Sequence, residues 1–421
     1  MKLTVVGLWH LGCVTAACCA ERLQVRGLDF DEALIGQLKQ GKPPINEPGL
    51  EDLICKGLSK GTLSFSTDVE GVCADTDLLW VCFDTPVDEE DRADVEFVLS
   101  KTRRCLARLP AGSIVLISSQ MPAGTCKKLS QEFPQFSFAC SPENLQLGRA
   151  LDAFRKADRI IVGVREETAR TILQTLLSQF CPNLLMVSPE SAEMIKHGLN
   201  SFLALSVSFI NEIARVCELM GADARQVEAG LKSDARIGAR AYLSPGPAFA
   251  GGTLARDVAT LTRLGQESGE SLVLIPAIKQ SNDQHKDWAL RKLGRLLGGV
   301  KGKTVAVLGL TYKPLTDTLR RSSSVELCRR LLEESCHIQA FDPAIKEWEM
   351  AGGLLCTSAN AALTGADAVV VATPWPEFRQ LPWGEATRVM RRPLVLDPHG
   401  FVKTQVGGLA EYHTVGSSGL P

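Results

Sequence analysis

Short, mostly apolar runs separated by helical patterns recur along this chain, and that alternation leaves few folds open. In the first 190 residues, Leu3–Val6, Leu78–Cys82, Ser113–Ile117, Phe136–Ala139 and Arg159–Val164 read as strands. Strands alternating with helices imply βαβ units and a mostly parallel sheet. The pattern returns near the C-terminus with Thr304–Leu308, His337–Phe341, Ala368–Ala372 and Leu394–Leu396. Between the two sets, residues 190–218 read as one helix. Ile195, Leu199, Phe202, Phe209 and Ile213 recur there at helical spacing and are expected to form a core stripe. A further helical region runs to about Gly230, and others from Asp257 to about Leu297, before the glycine-rich linker Gly298–Gly302.

The first strand runs into Gly7-Leu8-Trp9-His10-Leu11-Gly12, which opens a helix expected over Cys13–Arg22, and a second strand ends in Leu28-Asp29. Strand, glycine turn, helix, strand and acid form the Rossmann arrangement. Gly7, His10, Leu11 and Gly12 would then cradle a dinucleotide. Asp29 is placed for a ribose hydroxyl and would repel a 2′-phosphate, which favours NAD over NADP. Trp9 stands where a bare Cα is expected beside the pyrophosphate. It leaves two readings: an altered dinucleotide site, or a Rossmann-shaped domain with little cofactor affinity. The expected fold is α/β, with two Rossmann-like doubly wound sheet domains joined by a long central helix. Its domains are 1–190 (dinucleotide-binding-like), 191–298 (helical, with a substrate loop) and 299–421 (nucleotide-sugar-binding).

Composition narrows the function. With 421 residues, 45% hydrophobic, 22% charged and a net charge of −2, the chain lacks the basic footprint of a nucleic-acid or anionic-membrane binder. No apolar run approaches the roughly 20 residues of a spanning helix, and the N-terminus enters a strand without a signal-like stretch. The 14 cysteines show no Cys-x-x-Cys pair and no histidine cluster. Reduced thiols, no metal and a cytoplasmic location are the expectations.

Chemistry concentrates in Phe249-Ala250-Gly251-Gly252-Thr253-Leu254-Ala255-Arg256-Asp257, where a glycine turn, a hydroxyl, a guanidinium and a carboxylate fall within nine residues. Lys196 and Asn200 are four apart and share a helix face; a lysine snorkelling to solvent is the alternative for the first. Lys313 and Arg320 flank a second glycine turn and suit a diphosphate or a carboxylate, or else serve as surface ion pairs.

Together these segments resemble the UDP-glucose/GDP-mannose 6-dehydrogenase family over nearly the full length. The likeness is carried by Asn46-Glu47-Pro48-Gly49-Leu50, Thr85-Pro86, Ser141-Pro142-Glu143 and Lys196–Glu212 with Asn200 and Asn211. Arg236-Ile237-Gly238, Phe249–Asp257 and Lys313-Pro314-x-Thr316-Asp317-x-x-Arg320-x-Ser322 complete it. The resemblance implies two successive hydride transfers to NAD from the C6 alcohol of a nucleotide-diphosphate sugar, with a cysteine capturing the intermediate aldehyde and water releasing the uronate. By the same resemblance Glu143, Lys196, Asn200 and Asp257 handle protons, sugar and water, and Arg236, Phe249, Gly251 and Lys313 contact the substrate. Gly7, His10, Leu11, Gly12, Asp29, Thr85, Gln120 and Arg320 line the cofactor, and the chain forms a homodimer.

The departures are as informative. The family's cysteine falls on Thr253, and no cysteine lies between Cys217 and Cys328. Gln120 replaces a threonine of the Ser-Thr-x-Pro motif, and His399 stands where arginine is usual. A threonine hydroxyl is a poor nucleophile at neutral pH, so oxidation is expected to stop at, or slow beyond, the aldehyde. The alternatives are a nucleotide-sugar-binding pseudoenzyme or partner subunit, since Trp9, Gln120 and Thr253 depart together, and a redox-neutral reaction on a sugar nucleotide.

Overall fold

The computed structural model describes residues 1–88, 92–142, 145 and 147–417, which divide into two compact units, Met1–Leu199 and Asn200–Pro421. The first holds β1 (Leu3–Val6), β2 (Val25–Leu28), β3 (Leu63–Ser66), β4 (Leu78–Val81), β5 (Ile114–Ile117), β6 (Ser137–Cys140), β7 (Ile160–Val164) and β8 (Leu184–Val187). Their order in the sheet is β3-β2-β1-β4-β5-β6-β7-β8. Only the β6–β7 pairing is antiparallel among the described strands. The second unit holds β9 (Thr304–Leu308), β10 (His337–Phe341), β11 (Gly353–Leu355), β12 (Ala368–Val371), β13 (Leu394–Leu396) and β14 (Glu411–His413), in the order β11-β10-β9-β12-β13-β14. Both sheets contain the doubly wound 3-2-1-4-5-6 order, so the expected α/β architecture holds.

The strands are apolar because helices cover both faces. Leu78 and Trp80 of β4 enter one core with Ile114 and Leu116 of β5. Their neighbours Leu79, Val81, Val115 and Ile117 enter the core on the opposite face. In the second unit Val305 and Val307 face one core while Ala306 and Leu308 face the other.

Both units lock the end of the first strand in the same way. Gly7 (φ 89°) donates its N–H to Leu28 O, and the Asp29 carboxylate accepts from the N–H groups of Leu8, Phe30 and Asp31. Gly309 (φ 92°) donates to Phe341 O, and Asp342 accepts from the N–H groups of Leu310, Thr311 and Ala344 and from Trp375 Nε1. A Cβ on either glycine would lie 2.7 Å from a backbone nitrogen, that of Phe83 or of Thr373.

Element boundaries depart from expectation where caps decide them. The first helix is His10–Cys19 rather than Cys13–Arg22, because Trp9 O already accepts from Cys13 N. The helix after the glycine pair starts at Thr253, not Asp257. The central helix is Pro189–Met220. Its expected core stripe is only partly buried: Phe202 is 64% and Phe209 45% exposed. Among the described residues no helix is long and apolar enough to cross a membrane.

Asp342 satisfies several buried donors at once, and orphaning them is costly. Asp342→Ala should therefore destabilise the protein by about 2–4 kcal/mol. Denaturant unfolding in the absence of ligands measures this, and a loss below about 1 kcal/mol would contradict the clamp.

Candidate functional site

Of the residues expected to hold a dinucleotide, all but Arg320, which belongs to the second unit, follow the carboxyl ends of β1, β2, β4 and β5, where ligands bind in open α/β sheets. Gly12 sits so close under the turn that a Cβ there would lie 1.8 Å from Gly7 O. Trp9 is the N-cap of the first helix, with φ −86° and no side-chain cap, and is 48% exposed. Its backbone does not require glycine, and its indole stands partly in solvent. The first N–H groups of the helix, at His10, Leu11 and Gly12, precede the first intrahelical bond, at Cys13 N, and such uncapped donors suit a pyrophosphate. The turn therefore fits a dinucleotide despite Trp9.

Neighbouring segments brace this end of the sheet. Thr85 Oγ1 donates to Gln120 O at 2.8 Å, tying the loop after β4 to that after β5. His10 Nε2 lies 3.0 Å from the buried Glu47 carboxylate, which also accepts from Gly148 N and Ala150 N at the start of helix Ala150–Arg155. Glu193 accepts from Gly124 N and Cys126 N at the start of helix Thr125–Glu132, three residues before Lys196 on the long helix. Burial pushes the Glu193 carboxyl above its ordinary value. Glu143 lies outside the described residues.

In the second unit the glycine motif is built with more care than its sequence suggests. Gly252 (φ 109°) is the N-cap of helix Thr253–Glu267, and Thr253, its first residue, is exposed. Asp257, one turn on, is fully buried and accepts a short hydrogen bond from Asn200 Nδ2. The loop before the motif is pinned from both sides. Asn211 accepts from Gly246 N and donates to Pro247 O. Asn282 accepts from Phe249 N at 2.9 Å and donates to Phe249 O at 2.8 Å. His285 Nε2 lies 2.8 Å from Gly246 O, which fixes Nε2 as the protonated nitrogen. Asn282 and His285 escaped the sequence reading because each resembles any polar residue of an amphipathic helix.

The remaining candidates lie on other segments or in the turn itself. Arg236 is exposed and paired with Asp234 at 2.7 Å. Lys313 lies over the Tyr312 ring, and Arg320 is exposed on the segment between β9 and helix Ser323–Glu333. Arg321 was missed by the sequence reading. It takes a left-handed conformation (φ 60°) and brings Nη1 to 3.9 Å from where a Gly252 Cβ would stand. Gly251 belongs to the turn beside it. His399 keeps Nε2 3.2 Å from Ala372 O, and burial lowers its basicity.

Two doubly wound lobes, one opening on a glycine turn and an uncapped helix, define a nucleotide-binding α/β protein of the dehydrogenase type. The chain belongs to the UDP-glucose/GDP-mannose dehydrogenase family: residues 1–181 match its NAD binding domain, 190–284 its central domain and 306–404 its UDP binding domain. NAD is accordingly the cofactor. A UDP-glucose 6-dehydrogenase of Pseudomonas aeruginosa is 34% identical over 94% of this chain and 93% of its own. One from Bacillus subtilis is 31% identical over 99% and 93%. The solved structure of a UDP-glucose dehydrogenase from Pyrobaculum islandicum superposes with a TM-score of 0.88, at 30% identity over 99% of this chain and 98% of that one.

The His285 contact generates a pH test. Burial, reinforced by Arg215 and Arg291, lowers its pKa from 6.5 to about 4. The unfolded chain then takes up a proton that the folded chain refuses. The contribution is whole above pH 6.5 and drains away as pH falls towards about 4. Between pH 7.5 and 5 the wild type should lose about 2 kcal/mol more stability than His285→Gln, which keeps a donor to Gly246 O without titrating. Urea unfolding at both pH values reads the difference, and parallel losses in the two proteins would refute the assignment.

Proposed function

We propose that this chain oxidises the C6 alcohol of a UDP-glucose-like nucleotide sugar with NAD and stops at, or proceeds slowly beyond, the aldehyde. The observation that carries the reading is the residue at the head of helix Thr253–Glu267. A hydroxyl stands where the family's thiol is expected, while the buried Asn200–Asp257 pair is retained. NAD supplies the hydride acceptor. Lys196 and Asn200 polarise the C6 oxygen, whose proton passes to water, and Asp257 holds Asn200 in orientation. Glu143 contacts sugar and water. Gly7, His10, Leu11, Gly12, Asp29, Thr85, Gln120 and Arg320 hold the cofactor. Arg236, Phe249, Gly251 and Lys313 hold the nucleotide sugar, in the three-domain division given above and in a cytoplasmic protein.

A homodimer is part of this reading. Phe202, Phe209 and Val216 are spaced by seven on the central helix and are all exposed, a patch that monomers seldom leave in water. Sedimentation should give a dimer for the wild type and a monomer for Phe202→Glu/Phe209→Glu; a monomeric wild type at micromolar concentration would remove this part.

The second reading is a binding protein without turnover, favoured by the joint departure at Trp9, Gln120 and Thr253. One measurement separates the two. With UDP-glucose and NAD, and hydroxylamine to trap carbonyl product, one NADH per sugar is expected, and Thr253→Cys should raise it towards two. NAD binding with no NADH in either protein supports the binding reading. Two NADH per sugar from the wild type, at an ordinary enzymatic rate, would overturn the role given to Thr253.

A further inference from the structure

The thiols of Cys126 and Cys140 and the Glu193 carboxylate meet in the interior of the first unit from three separate elements. Cys126 lies in the first turn of helix Thr125–Glu132, Cys140 ends β6, and Glu193 lies in the first two turns of the central helix. One donor atom from each lies within 4.8 Å of the other two, and all three residues are buried. Because the elements are distant in sequence, no cysteine spacing announces the cluster.

We propose that this cluster is a binding site for a thiophilic divalent cation of the zinc class. Two sulfurs and one carboxylate oxygen are a donor set that zinc accepts, whereas calcium and magnesium take all-oxygen sets. Bonds of about 2.3 Å to sulfur and about 2.0 Å to oxygen put tetrahedral ligands roughly 3.5–3.8 Å apart. A cluster already within 4.8 Å closes to that geometry by side-chain adjustment. Glu193 can keep its bonds from Gly124 N and Cys126 N, because an ionised carboxylate has lone pairs to spare.

A second observation supplies the fourth position. A cavity of about 20 Å³, lined by Cys140, Glu193, Ser119, Gln120 and Lys196, adjoins the cluster. That space holds one water. The buried Ser119 hydroxyl has no hydrogen-bond partner among the described residues and lines the same cavity, where a metal-bound water would meet it. Two thiolates, a carboxylate and a dication sum to one negative charge, and the Lys196 ammonium lines that cavity.

Cobalt(II) is the probe, added to the full-length protein after chelation under reducing conditions. The expected result is one equivalent per chain with thiolate-to-cobalt charge-transfer absorption, displaced by zinc(II). Elemental analysis should likewise give one zinc per chain after zinc loading and gel filtration. Cys126→Ser and Cys140→Ser should each weaken binding at least 100-fold, while Cys55→Ser, at an exposed thiol, should not. Circular dichroism checks that each variant is folded, and the wild-type spectrum alone decides if a serine variant is not. Cobalt binding without thiolate bands, no stoichiometric uptake, or a Cys126–Cys140 disulfide as the only species would overturn the proposal.

Discussion

Each unit depends on one contact: a carboxylate at the end of the second strand gripping backbone N–H groups of the turn that ends the first. Asp29 and Asp342 make it, and no apolar residue could. The turn must reverse tightly enough for the adjacent loop to pass against it, which puts Gly7 and Gly309 at positive φ and leaves their neighbours' N–H groups without strand partners. A buried N–H needs an acceptor, and an ionised carboxylate can serve several. The second lobe adds Thr311 and Trp375 Nε1 to the same oxygen of Asp342.

Rigidity at the second candidate site comes from amides rather than from apolar packing. Asn211 and Asn282 each give one donor and one acceptor to the same loop, so Gly246, Pro247 and Phe249 are held from two helices. An amide holds a strand-like segment as another strand would, and the loop needs no sheet. Asn200 does similar work on Asp257, whose complete burial would be expensive without a donor facing it.

What the sequence disclosed follows from which forces are local. Strands buried on both faces are continuous apolar runs, so β1, β4, β5, β9 and β12 were legible to within a residue or two. The edge strands β3, β8, β11 and β14 were not: Leu63-Ser64-Phe65-Ser66 and Glu411-Tyr412-His413 are short and half polar, while β8 and β11 went unread although they carry no polar side chain, and the pairing of all four is a tertiary fact. Helical spacing located the apolar stripe of the central helix but could not say what covers it, so Phe202 and Phe209 were expected in a core and lie exposed. The glycine turn and Asp29 were legible as a motif, while the backbone donors that Asp29 satisfies were not. Asn282, His285 and Arg321 carry no local signature; they matter through loops 33 to 69 residues away in the chain.

The position of Thr253 decides how much chemistry the helix beneath it can supply. A helix N-terminus favours an adjacent anion by up to about 2 kcal/mol, or roughly 1.5 pKa units. For a thiol that titrates near 8.5, that shift yields a substantial thiolate fraction at neutral pH. An alcohol titrates far higher, closer to bulk water than to a thiol, and the same field leaves it protonated. On the proposed function, a hydroxyl in place of a thiol at the first residue of helix Thr253–Glu267 forgoes covalent capture and leaves in place what hydride removal from an alcohol needs. That step calls for a proton acceptor at the substrate oxygen and a fixed nicotinamide. Neither depends on residue 253, and on the proposed function this side chain is where the two oxidations separate.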